Sequence, residues 1–230
     1  MSAGGTVDGG RAKKRVAVLI SGRGSNMMSL VKAAEAPDYP AQIVAVLSNR
    51  PDAAGLEWAR DRGIEAHSID HKSFASREDF DRALHQKLVE TGAEIVACAG
   101  FMRLMTPWLV DQWRDRMINI HPSLLPLFRG LHTHERALEA GVRLAGCTVH
   151  VVRSEVDTGP ILGQAAVPVF DGDTADTLAA RVLTAEHQLY PQILALFAAG
   201  KYDIDHEIAR LDQQSSAGRA LYSPAVDVDS

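Results

Sequence analysis

The stretch "MINIHPSLLP" (117–126) puts an amide and an imidazole where a buried strand should be apolar. Asn119 and His121 are two apart, so on a strand they point to one face, and Pro122 ends the run. Burying both without partners would cost about 1–3 kcal/mol each. The carboxyl end of a strand in an open α/β sheet is where such sheets bind ligands. A histidine there can serve as general acid or base near neutral pH. Asn119 can donate an N–H to an oxyanion but cannot move protons. A carboxylate would raise the imidazole pKa and orient the ring. Asp157 in "SEVDTGPIL" is the best-placed one, because Thr158, Gly159 and Pro160 mark a turn between strands. The competing reading of the pair is a hydrogen-bonded structural histidine.

A second candidate lies in "VLISGRGSNMMSLVKAA", read as strand, turn and helix. Gly22 and Gly24 permit the sharp turn, and Ser25 and Asn26 are expected to cap a helix whose N–H groups face outward. Met27 occupies the third glycine position of a dinucleotide fingerprint, and no G-K-[ST] follows. A small phosphate monoester therefore fits better than NAD or ATP, against the alternative of a tight turn that binds nothing. "HTH" (132–134) lacks a carboxylate or cysteine at metal-ligand spacing, so Thr133 is read as a helix cap with His132 near the site, and no metal is expected. His150 alternates with Thr148 and Val152, and faces either the site or the core. His67, His71, His85 and His206 read as surface or cap residues.

These residues need a scaffold. "RVAVLI", "QIVAVLS", "EIVACAG" and "MINIH" are short apolar runs separated by helix-like stretches. In one of these, Phe80, Leu84 and Leu88 share a face and Gly92 marks the stop. That order predicts an α/β fold with a doubly wound, mostly parallel sheet. Beyond the loop 122–132 come a helix near 133–140, then "RLAGCTVHVVR" and "ILGQAAVPVF" as a strand portion expected to be antiparallel. A long helix follows, capped by Asp173 or Thr174, ended by Gly200 and kinked or broken at Pro191.

The 230 residues suit one domain, expected over 15–211, with a flexible segment at 1–14 and a mobile tail at 212–230. A net charge of −5 argues against a nucleic-acid partner. Cys98 and Cys147 sit in apolar runs and read as buried free thiols. The first fifteen residues lack a signal-peptide core, and "VAVLI" is too short to cross a bilayer, so a cytoplasmic location is expected.

Together "ISGRGSN", "AGFMRLM", "INIHPSLLP", "GLHTH", "VDTGPIL" and "AEHQLYP" resemble the phosphoribosylglycinamide formyltransferase (GAR transformylase) family, folate-dependent enzymes of purine synthesis. The likeness covers roughly residues 15 to 200. It implies a Rossmann-like formyltransferase fold and transfer of a formyl group from 10-formyltetrahydrofolate, the co-substrate, to the amine of glycinamide ribonucleotide. Asn119, His121 and Asp157 match the catalytic trio, and Gly24, Ser25 and Asn26 the ribose-phosphate loop. Glu186 falls at the glycinamide side. Met102, Arg103, Leu104 and Met105 match the folate strip, with Asn119 beside it and Arg77 a further folate contact. Small-molecule substrates are implied, without metal, membrane or nucleic acid, and a homodimer is left open. The chain departs from many relatives at Leu127, Phe128 and Arg129, where a Lys follows "SLLP", and at Leu183. The rivals are another 10-formyltetrahydrofolate enzyme (a deformylase, expected to carry an extra N-terminal domain, or a sugar-nucleotide or methionyl-tRNA formyltransferase) and a non-catalytic folate- or phosphate-binding module.

Overall fold

Apolar runs without a polar face need cover on both sides, and the fold supplies it. The structure, a computed structural model, describes residues 12–211 and Ser223. Most of the expected N-terminal segment and of the tail lies outside the described residues. The strands are β1 (Lys14–Ile20), β2 (Ala41–Ser48), β3 (Glu65–Ser68), β4 (Ile95–Cys98), β5 (Met117–His121), β6 (Leu144–Val151) and β7 (Ile161–Pro168). The helices are α1 (Ser25–Ala34), α2 (Ala54–Arg60), α3 (Arg77–Glu90), α4 (Pro107–Gln112), α5 (Thr133–Glu139) and α6 (Ala175–Ala198). Within β1 the pleat divides the core. Val16, Val18 and Ile20 pack with α1 and α6, while Ala17 and Leu19 pack with α3 and Leu109 of α4.

The seven strands run in the order β3-β2-β1-β4-β5-β6-β7. β1 to β5 are parallel, and β6 and β7 are antiparallel to their neighbours, as expected. From β1 the chain moves outward to β3, then crosses back to lay β4 on the other side of β1. The carboxyl ends of β1 and β4 thus flank the point where strand order reverses, the place for a ligand crevice. A separate hairpin of β8 (Tyr202–Asp205) and β9 (Ile208–Leu211) follows α6. The sequence reading did not identify it, because strands as short as "YDID" carry little apolar pattern.

Helix ends hold both agreements and corrections. Thr174 caps α6, with Thr177 returning the bond, and Gly92 and Gly200 lie just past α3 and α6 with φ of 66° and 68°. Ser25 does not cap α1. The cap position is Gly24, in the left-handed region with φ 74°, and no side chain bonds the first N–H groups. Nor does Thr133 cap α5. His132 holds that position with φ 58°, while Thr133 is buried inside the first turn. Pro191 does not break α6, which continues to Ala198. Burial of Tyr190, Ile193 and Leu194 on either side outweighs the one lost helical hydrogen bond.

Candidate active site

The end of β5 brings the sequence-selected residues together. The ring of His121 is buried at 6% exposure, with Nδ1 3.3 Å from Asp157 Oδ2 and Nε2 3.1 Å from the Phe128 carbonyl. Asn119 pairs across the β5–β6 ladder with His150, and its Nδ2 lies 3.2 Å from His150 Nε2. His150 Nε2 is also 3.6 Å from Asp157 Oδ1, and its Nδ1 donates to the Val151 carbonyl. Asp157 has φ 53° and accepts the Gly130 N–H at 2.9 Å, which ties the 152–160 loop to the 122–132 loop. One carboxylate therefore serves two imidazoles and a backbone amide.

Burial lowers the His121 pKa below its ordinary value. The Phe128 carbonyl and Asp157 raise it again, while His150 and Arg136 push it down further. Desolvation of the ring is the largest of these opposing effects, and the net shift of His121 is downward. Burial would raise Asp157 too, yet the neighbouring His150 ring, the Gly130 N–H and the His121 ring hold it below the usual carboxylate range. Both ring nitrogens of His121 face oxygen acceptors, so the cluster gains a hydrogen bond when the ring takes up a proton. The arrangement suits a buried proton acceptor with an amide donor beside it.

The phosphate-loop candidates line an adjoining cleft of about 940 Å³ together with Met102 and Arg103. The N–H groups at the start of α1 carry neither a side-chain cap nor an acidic residue in the first turn, which suits an anion. Beneath them Asn26 Nδ2 donates to Glu186 at 2.6 Å. Burial pushes the Glu186 carboxyl up and the Asn26 bond holds it down, the net being upward. Asn26 Oδ1 is buried without a partner.

Other placements are mixed. Leu104 and Met105 stand outside the cleft lining; Leu104 is exposed and Met105 packs on the α3 side of the core. Arg77 is the first, exposed residue of α3. His71 lines the cleft, and His85 is half-buried in edge contact with Trp108 and Trp113, so neither is a simple surface residue. His206 is exposed at the β8–β9 turn, and His67 pairs with Glu65. The sequence reading left His150 open. Its signal was alternation with Thr148, but only the β5–β6 register decides that it meets Asn119. Ser21 carries no local motif signal, yet its Oγ accepts the Met102 N–H at 2.7 Å and donates to Asn49 at 2.6 Å, joining the loops after β1, β2 and β4. Cys98 and Cys147 are buried free thiols, and burial pushes each up to about 12. Among the described residues no group could hold a metal ion, and no helix is long and apolar enough to cross a membrane.

Residues 14–194 match the formyl transferase family. The chain belongs to this family. Among formyl transferase relatives, the chain is 44% identical to the phosphoribosylglycinamide formyltransferase of Escherichia coli, over 86% of this chain and 94% of that protein. It is 48% identical to the bovine (Bos taurus) trifunctional purine biosynthetic protein adenosine-3, over 82% of this chain, and spans only 19% of that relative's length. A solved structure, glycinamide ribonucleotide transformylase 1 from Symbiobacterium toebii, superposes with a TM-score of 0.86 at 42% identity, covering 91% of this chain and 99% of the other.

Proposed function

We propose that this protein transfers the formyl group of 10-formyltetrahydrofolate to the amine of glycinamide ribonucleotide, a step of purine synthesis. The observation that carries the proposal is the cluster of buried His121 and His150 with half-buried Asn119 and Asp157, beside an uncapped helix N-terminus, in a formyl transferase whose near-full-length relative is named phosphoribosylglycinamide formyltransferase. The start of α1 suits the ribonucleotide phosphate. The orphaned Asn26 oxygen and Glu186 below it suit the donors of the rest of that substrate. The exposed Met102, Leu104, Leu127, Leu131 and Val156, on three loops next to the trio, suit an apolar ring system such as a pteridine.

The amine attacks the formyl carbon, and the carbonyl oxygen becomes an oxyanion. Asn119 donates to it. His121 accepts the proton released by the attacking amine and, as an imidazolium held by Asp157, stabilises the oxyanion. Collapse breaks the bond to folate N10, which takes the proton. No covalent enzyme intermediate is needed. The Phe128 carbonyl now occupies His121 Nε2 and yields that nitrogen when substrate enters. The deciding experiment follows tetrahydrofolate release by absorbance with and without glycinamide ribonucleotide. Release only with the amine is expected; release without it would mean a hydrolase.

A further inference from the structure

Asp157 has to reach His121 from the wrong end of the sheet. β6 runs antiparallel to β5, so the 152–160 loop leaves β6 beside the start of β5, with the Val152 N–H bonded to the Met117 carbonyl. Its tip then returns to His121 at the far end of β5. The neck is tight. Val151 donates to the Pro160 carbonyl, and a Cβ on Gly159 would lie 1.7 Å from the Val151 oxygen and 3.1 Å from Arg153 Cγ. The Arg153 stem therefore packs on the returning limb of the loop as well as starting the outgoing one.

The guanidinium of Arg153 is fastened elsewhere. Its Nη2 bonds Asp115 at 2.7 Å, in the turn before β5, and its Nε bonds Glu207 in the β8–β9 turn, with its side chain only 10% exposed. Arg114 holds the other Glu207 oxygen at 3.0 Å. We infer that Arg153 is a positioning residue, which braces the 152–160 loop between the turn before β5 and the C-terminal hairpin and so keeps Asp157 against His121 and His150. The inference deepens the formyl-transfer reading and rests on it for its kinetic arm only.

The test replaces Arg153 by Ala, by Gln, which keeps a stem against Gly159, and by Lys, which keeps the charge but loses the fork. The first readout is the titration of the His121 ring by NMR in the ligand-free protein. The charges acting on that ring are Asp157, His150 and Arg136. Deleting a nearby cation would by itself raise the His121 midpoint. Withdrawal of Asp157 lowers it, so a fall in Arg153→Ala and Arg153→Gln, with partial recovery in Arg153→Lys, is the expected result. The kinetic readout is kcat for formyl transfer, expected to fall about ten- to a hundredfold for a displaced reacting geometry, with KM for the ribonucleotide within about twofold. A lower melting temperature with an unchanged His121 midpoint and unchanged kcat would overturn the brace. If the wild type transfers no formyl group, the proposed function fails and the titration alone decides the brace; should Arg153→Ala not fold, Arg153→Gln and Arg153→Lys decide it.

Discussion

At the scale of single residues, the proposed mechanism turns on the charge state of His121. The ring must be neutral to accept a proton, and its pKa is lowered by burial. Formyl transfer should therefore hold level at neutral pH and decline as the pH falls through a midpoint below the ordinary histidine value. Asp157→Asn removes a charge that raises the ring's pKa, so the acid limb should shift to lower pH while kcat drops about 10²–10⁴-fold. A limb that moves upward would contradict this assignment. Asn119→Ala should cost about 10²–10³ in kcat by removing the oxyanion donor. The double variant should lose less than the product of the two, since both act on one transition state.

At the scale of elements, α1 presents its bare N-terminus because Gly24 takes a left-handed conformation there. A Cβ on Gly24 would meet Met27 Cε at 3.0 Å, so Gly24→Ala combines that contact with about 1–2 kcal/mol of backbone strain. Inorganic phosphate should raise the melting temperature of the wild type, and the rise should shrink in Gly24→Ala. Equal rises in both would place the anion elsewhere. The loop after β4 depends in the same way on Ser21, whose hydroxyl serves Met102 and Asn49 together. Ser21→Ala leaves two such groups without that partner, at about 1–3 kcal/mol each when buried. It should speed amide exchange at Met102, and an unchanged exchange rate would show that Ser21 does not anchor the loop after β4.

For the whole molecule, two opposed charge distributions matter. The chain carries a net −5, yet the cleft lining sets Arg23, Arg50, Lys72 and Arg103 against only Asp52 and Asp70, with Arg50 paired to Asp52. A local positive field of this kind draws anionic substrates in and is screened by salt within about 10 Å at 0.1 M. The specificity constant kcat/KM should fall as ionic strength rises, with a shallower slope in Lys72→Gln, whose side chain stands at the cleft away from the trio. A slope that Lys72→Gln leaves unchanged would remove Lys72 from the steering field. Acid stability follows from the cluster as well. His121 and Asp157 both bind protons less readily when folded. Their contribution is present above the ordinary values of each group and is lost as pH falls through their lowered ones, so thermal unfolding should occur at lower temperature in acid.

Six of the seven sheet strands and α1, α3, α5 and α6 are legible in residue order, because Val- and Ile-rich runs and helical spacing are local properties, and "INIH" with "VDTGP" supplies the chemical groups. Where local patterns are weak, residue order falls short, at β3, α2, α4 and the β8–β9 hairpin. Cap positions depended on backbone conformation rather than residue type, as His132 and Gly24 show. Contacts between distant segments bring His150 to Asn119, through antiparallel register, and Asn26 to Glu186, through packing of α1 on α6, and no local pattern encodes either. The assembled fold also buries His121. An imidazole's pKa depends on how much water the fold removes from it as well as on which carboxylate stands nearby, and burial is a property of the assembled chain.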